Sequence, residues 1–360
     1  WRTPRTEPWL PWNRSAVAPA GSGGLEDMDV PADGSPALRV LISVVYSLVC
    51  AAGLLGNLLV FLLMKTRRGG SQRSSIRLFI LNLAATDLQF VLTLPFWAAD
   101  MALDFSWPFG AAMCKIVLSV TVMNMYASVF FLTAMSITRY RAVASALRDR
   151  RRRRRCPVRW VIAGLWAAAT LASLPTAVFA TVRGVAGERL CLLGLPDGRP
   201  WLALYHLQKT LLAFLLPVLV LSVCYLRLLR LVRLRSMRGG RARRSSRLTR
   251  SITIVVLSFF LCWMPNHAIT FWGVLVKLDL LRFDRTYYMV HMYVHPLTVC
   301  LAHANSCLNP VLYCLMRREF RKKMKELFWR VSAPRRSRPC PGVRWRLHRR
   351  GGLAGLTWRP

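Results

Sequence analysis

Apolar residues in this chain fall in long unbroken stretches separated by short clusters of charge. They do not keep the period of two or of 3.6 that marks a half-buried strand or a surface helix. Each stretch reaches about 20 residues or more, the length a helix needs to cross roughly 30 Å of hydrocarbon. Seven spans are predicted, at 38–64, 76–99, 111–134 (continuing to about 143), 158–180, 201–229, 251–276 and 286–315. An all-α seven-helix membrane bundle is therefore expected, using nearly all of the chain.

Polar residues inside those stretches carry the next layer of information. Asp87 lies in the second span, and the run Asn305-Ser306-Cys307-Leu308-Asn309-Pro310-Val311-Leu312-Tyr313 lies in the seventh. A carboxylate and two asparagines at bilayer depth are costly, so their presence points to function. A proline inside a span frees a backbone carbonyl that neighbouring polar groups can satisfy. Together they suggest one polar cluster between helices.

Composition agrees, and charge adds direction. The chain has 360 residues, 54% of them hydrophobic, and a formal net charge of +37. The basic residues concentrate in alternate connections: 65–77, then Arg148 with Arg150 to Arg155, then 227–250, then from Arg317 onward. The other connections hold Asp100, Asp104, Glu188, Asp197, Asp279 and Asp284. Because positive residues stay cytoplasmic in short loops, the N-terminus is expected outside and the C-terminus inside the plasma membrane. A +37 charge first suggests nucleic acid, but the arginine run pairs with no folded basic surface and reads instead as a lipid-headgroup contact.

The expected organisation is a disordered extracellular segment over 1–37, the receptor-like bundle over 38–315, an amphipathic cytoplasmic surface helix over 316–330 and a disordered basic tail over 331–360. Asn13-Arg14-Ser15 fits a glycosylation acceptor, which agrees with an outer N-terminus. No apolar leader precedes Leu38, and the first span can itself direct insertion. Of ten cysteines, most lie within spans as small packing residues. Cys114 and Cys191 both fall near the outer face, where oxidation is favoured, and a bridge between them would pin the fourth-to-fifth connection over the bundle mouth. No His or Cys spacing points to a metal site, and no nucleophile–base pair suggests an enzyme.

The motifs resemble those of rhodopsin-like (class A) G-protein-coupled receptors over the whole membrane region. They are Gly56-Asn57, Leu83-Ala84-Ala85-Thr86-Asp87, Thr138-Arg139-Tyr140, Trp166, Pro217 with Tyr225, Cys262-Trp263-Met264-Pro265 and Asn309-Pro310-Val311-Leu312-Tyr313. Nearer still is the relaxin-3/insulin-like peptide 5 receptor subfamily, on Leu92-Thr93-Leu94-Pro95-Phe96-Trp97-Ala98-Ala99, on 102–110 and on Asn124-Met125-Tyr126-Ala127-Ser128. Thr93-Leu94-Pro95 reads as a kink.

The resemblance implies a switch running through Thr138, Arg139, Tyr140, Tyr225, Trp263, Pro265, Pro310 and Tyr313. Asp87, Asn124, Ser128, Asn305 and Asn309 supply oxygens either for one Na⁺ with waters or for a hydrogen-bonded network without an ion. Trp263, two residues before Pro265, either couples ligand contact to rotation of the lower sixth helix or simply packs the core. The family usually places an acid before the arginine, where this chain has Thr138. Arg139 is then expected to be held by hydrogen bonds, Thr249 being one partner, with raised basal activity.

The resemblance also implies a two-chain insulin/relaxin-like peptide ligand that is basic and ends in an aromatic residue with a free carboxylate. Heterotrimeric G protein, of the inhibitory type, and arrestin follow as partners. Asp100 and Asp104, four apart, share a face if the helix continues through both. With Glu188 they offer anchors for peptide arginines, although loop solvation or a turn also accounts for Glu188 and Asp104. Lys209, in an apolar run, either meets the peptide carboxylate or snorkels outward. Trp97 and Trp272 would stack on the aromatic end. Receptors for other cationic peptides of chemokine or angiotensin type are the near alternative, and a transporter or channel the distant one. The latter is disfavoured by the absence of internal repeats and broken helix pairs. A retinal-binding light sensor would need Lys at the position of His303.

Overall fold

The computed structural model describes residues 36–65, 75–145, 157–185, 188–196, 199–236 and 243–316, with scattered positions between 321 and 329. Seven helical rods cover them. They are α1 (Pro36–Lys65), α2 in two segments (Ser75–Val91 and Leu94–Ala102), α3 (Gly110–Ser145) and α4 (Val158–Phe179). After a hairpin of β1 (Ala180–Val185) and β2 (Glu188–Leu193) come α5 (Arg199–Thr210, a π-wound turn Leu211–Leu215, then Leu216–Ser236) and α6 (Arg243–Lys277). The last rod is α7 (Arg285–Met289, a π-wound turn Val290–Val294, then His295–Met316).

The predicted spans correspond to these rods, with ends shifted by several residues. Six of the described helices are long and apolar enough to cross a membrane. The seventh rod is diluted by His291, His295, His303, Asn305, Ser306 and Asn309. Its packing against α1 and α6 places it in the ring. α3 is the hub, touching α2, α4, α5, α6 and β1.

The bundle buries its polar residues and shows lipid its apolar ones. Leu55, Leu171 and Leu261 expose 72%, 68% and 66% of their surface. Asn57, Thr86, Asp87, Asn124 and Asn309 expose between 0% and 4%. In hydrocarbon, apolar surface gains nothing by being hidden, so close backbone approach and internal polar contacts supply the adhesion. Gly53 and Gly56 show that approach. A Cβ on Gly53 would stand 2.5 Å from Val91 Cγ1, and one on Gly56 would stand 3.0 Å from the ring of Pro310.

The prolines explain the bends and where the freed carbonyls go. Pro95 cannot donate to Val91, and α2 breaks at Leu92 and Thr93 as the Thr-Leu-Pro spacing predicted. Val91 O instead accepts from Cys50 Sγ at 3.3 Å, and Phe90 O accepts from Thr93 Oγ1 at 2.7 Å. Pro310 likewise releases Ser306 O, which accepts Asn57 Nδ2 at 3.0 Å across from α1.

Within the all-α bundle, one β1–β2 hairpin occupies the connection between α4 and α5. Cys191 pairs with Val182 in its register, and the Cys114–Cys191 disulfide ties β2 to the start of α3. Trp107 N donates to Arg189 O of β2 at 2.6 Å, and Lys115 Nζ of α3 donates to Val178 O at the end of α4 at 2.7 Å, just before β1 begins. Asn13, Arg150 to Arg155 and the tail from residue 331 lie outside the described residues. So does most of the expected surface helix, although Arg321, Lys322, Met324, Lys325 and Trp329 are helical.

Candidate functional site

At the disulfide end the rods splay around a cavity of about 310 Å³. α2 contributes Trp97 and Asp100, α5 contributes Tyr205, His206 and Lys209, and α6 contributes Trp263 and Lys277. Cys191, Leu192 and Leu193 of β2 also line it, so the hairpin forms part of the wall. The site is thus apolar and aromatic with a few placed charges, as expected for a ligand pocket.

Two of the charges face it from different rods. Asp100 is buried at 5% exposure in the last turn of α2. Lys209 is half-buried on α5, with its ammonium 5.6 Å from the centre of the Tyr205 ring. Tyr205 is fixed in turn by a 2.8 Å hydrogen bond between its hydroxyl and Thr176 Oγ1. Trp97 is held by a 3.2 Å bond from Nε1 to Thr121 Oγ1, and its ring lies 6.5 Å from that of Trp107.

Three sequence-predicted positions stand elsewhere. α2 ends at Ala102, and Asp104 takes a left-handed conformation with φ of 59°, so Asp100 and Asp104 do not share a helical face. Asp104 forms an ion pair with Arg39 of α1 and keeps 63% of its side chain exposed. Glu188 is exposed beside the hairpin tip, opposite Val185. Trp272 packs edge-on against Tyr287, ring centres 5.6 Å apart, and is not among the cavity-lining residues. Sequence reasoning missed Arg39, Thr121, Tyr205, His206, Lys277, His291 and His295, all of which line the cavity. Each is a polar residue in or beside an apolar run, which was the available signal.

Trp263 joins the cavity to the core. It lies 5.9 Å from both Phe259 and His267 by ring centres, one turn either side on α6, and Pro265 follows it inside the helix. Its Nε1 has no hydrogen-bond partner among the described residues.

Further along the rods lies the polar network. Asn309 Nδ2 donates to Asp87 Oδ2 at 2.9 Å, and Asn124 Nδ2 donates to Asp87 Oδ1 at 3.1 Å. Asn124 Nδ2 also stands 3.5 Å from Ser128 Oγ, and Ser306 Oγ donates to Asn124 Oδ1 at 3.5 Å. The structure therefore draws Asp87, Asn124, Ser128 and Asn309 together and adds Ser306 and, through its carbonyl, Asn57. Asn305 is buried nearby in sequence, but its Oδ1, like that of Asn309, has no donor among the described residues. Among the described residues no three His, Cys, Asp or Glu side chains converge as a metal-ligand set. A carboxylate with neighbouring amide and hydroxyl oxygens is instead the donor chemistry of a hard monovalent cation.

Toward the opposite end, Tyr225 of α5 meets Ser136 of α3, hydroxyl to hydroxyl at 3.4 Å. Thr138, Arg139 and Tyr140 follow within the next turn and are half-buried. The side chains of Tyr313 and Thr249 lie outside the described residues. On α4, Trp166 Nε1 donates to Asn82 Oδ1 of α2 at 2.9 Å, a link that Trp166 alone did not disclose.

Comparison with known proteins follows the same outline. The family model described as 7 transmembrane receptor (rhodopsin family) matches residues 56–313. Relaxin-3 receptor 1 of Mus musculus is 52% identical over 363 residues, covering 90% of this chain and 76% of its own. Relaxin-3 receptor 1 of Homo sapiens is 53% identical, covering 88% and 74%. Relaxin-3 receptor 2 of Homo sapiens is 48% identical, covering 81% and 77%.

Proposed function

Since the chain belongs to the rhodopsin family of seven-transmembrane receptors, we propose that it binds an insulin/relaxin-like peptide, relaxin-3 first among them, in the disulfide-end cavity and signals to a heterotrimeric G protein of the inhibitory type. The observation that carries this is the presence of opposite charges on two different rods of one aromatic cavity, Asp100 on α2 and Lys209 on α5. A basic peptide with a terminal aromatic carboxylate matches that layout. Its carboxylate meets Lys209, its terminal ring enters beside Trp97, and a cation reaches Asp100. Asp104 and Glu188, both exposed, act earlier by attracting the peptide to the mouth. In this reading Asp104 exchanges Arg39 for a ligand cation.

Cavity occupancy reaches the interior through Trp263. Pushing its ring turns the lower part of α6, the part that precedes Pro265, and Arg139, Tyr225 and Tyr313 receive the movement at the G-protein end. Arrestin uses the same opened end. Asp87 with Asn124, Ser128, Ser306, Asn305 and Asn309 fits a sodium ion that holds the resting packing, its charge offsetting the buried carboxylate. The disulfide end faces the extracellular space, a reading supported by oxidation of Cys114 and Cys191 and by the basic connections at the other end.

The test is inhibition of cyclic-AMP accumulation in transfected cells by relaxin-3, insulin-like peptide 5 and a chemokine panel, with and without pertussis toxin. Toxin-sensitive inhibition by relaxin-3 at the lowest concentration is expected. A response only to a chemokine, or a relaxin-3 response indifferent to the toxin, overturns the corresponding part.

A further inference from the structure

The cavity carries an unusual density of imidazoles. The chain has six histidines, and His206, His291, His295 and His303 all line this one space. Only His291 and His295 share a rod at a spacing of four. Residues four apart fall within about 40° of one another whether the turn is α- or π-wound, so both rings project from one face of α7. Their ring centres are 4.8 Å apart and their planes 23° from parallel. Across the gap, Asn266 of α6 places its amide 3.3 Å from His295 Nε2. Rotating that amide about its last torsion exchanges its nitrogen for its oxygen.

We propose that His291 and His295, with the side-chain oxygen of Asn266, form a binding site for a borderline transition-metal cation such as Zn²⁺ in the cavity wall. Imidazole is a preferred ligand of this metal class, and modest ring rotations bring two nitrogens from adjacent helical turns to the roughly 2.0–2.1 Å that Zn–N bonds require. The set has two imidazoles and one amide, so coordination positions stay open. Affinity is accordingly lower than at a closed structural site, and a ligand carboxylate or water completes the shell. Lys277 and Lys209 line the same cavity and lower the affinity by repulsion. The metal ties α6 to α7 on the cavity side of the Pro265 bend, so it biases whichever arrangement of those rods it fits better.

The experiment needs no peptide and is therefore independent of the proposed ligand. Purified detergent-solubilised receptor is heated with 0 to ~100 µM ZnCl₂, and with MgCl₂ as control. Ligand binding to the folded state raises the melting temperature by mass action, and a tenfold excess over Kd corresponds to a rise of about 3–6 °C. That rise is expected with Zn²⁺ and not with Mg²⁺, lost in His291→Ala and His295→Ala, and reduced in Asn266→Ala. His303→Ala, outside the set, keeps it. Absence of a rise in the wild-type protein, or a rise that survives the His291→Ala/His295→Ala double variant, overturns the proposal. If either histidine variant folds poorly, His291→Phe and His295→Phe, which keep bulk without any metal-ligating atom, give the same reading.

Discussion

Removal of the Asn309 amide is expected to destabilise the bundle through Asp87 specifically. Both carboxylate oxygens of Asp87 receive an amide N–H, at 2.9 Å from Asn309 and 3.1 Å from Asn124, and all three residues are buried. A hydrogen bond to a charged group contributes about 1.5–3 kcal/mol. Asn309→Ala leaves one oxygen without its donor, and at about 2–4 °C per kcal/mol the melting temperature falls by roughly 3–12 °C. Asp87→Asn also removes the charge and the cost of burying it, so the sign of that single change decides nothing. The coupling decides. A double-mutant cycle of Asp87→Asn with Asn309→Ala, read as melting of the purified receptor at fixed salt, should give an interaction of about 1.5–3 kcal/mol. Additivity within about 0.5 kcal/mol means that the two side chains act independently, and the polar network loses its central contact.

Three further outcomes follow from the packing and the switch. Gly53→Ala should lower thermal stability by about 1–3 kcal/mol, because its methyl meets Val91, and Val91→Ala should restore most of the loss. Cys114→Ser, Cys191→Ser and the double variant should lose peptide potency to the same extent, since one disulfide holds β2 against the cavity; a double variant clearly worse than either single one contradicts this in a radioligand displacement assay. Thr138→Asp should lower ligand-free G-protein activation by placing a carboxylate beside Arg139, where the family usually has an acid, and an unchanged baseline in a GTPγS-binding assay removes that explanation.

Much of the bundle was legible because lipid imposes a simple grammar. Uninterrupted apolar length marks a span, and a polar residue within one marks an interior position. Asp87 and Asn309 were identified that way, Asn124 entered with the family resemblance, and the structure brings both asparagines into contact with Asp87. Pro95 and Pro310 announced freed carbonyls, although their partners, Cys50 and Asn57, belong to another helix and had no local signature.

The site was less legible at helix ends. Nothing between Ala102 and Phe105 is a glycine or proline, yet Asp104 and Phe105 both take positive φ there, and the shared acidic face does not form. Trp272 follows Pro265 along α6, where helix phase extrapolated from before the proline is unreliable, and it meets Tyr287 instead of the cavity. The hairpin went unread because Ala180–Val185 and Glu188–Leu193 are short strands whose pairing and contact with Trp107 carry no local signature, although the disulfide that anchors β2 was expected.

The account rests on Lys209 receiving an anionic end of the ligand inside the cavity. Relaxin-3 with a free C-terminal carboxylate and the same peptide amidated there can be compared on wild-type receptor and on Lys209→Ala, reading half-maximal inhibition of cyclic AMP. Pairing a desolvated charge contributes about 2–5 kcal/mol, so the free acid should be better on the wild type by roughly 30- to 4000-fold, with the preference gone in Lys209→Ala. Equal potency of the two peptides on the wild type, or a preference that survives removal of the ammonium, contradicts it.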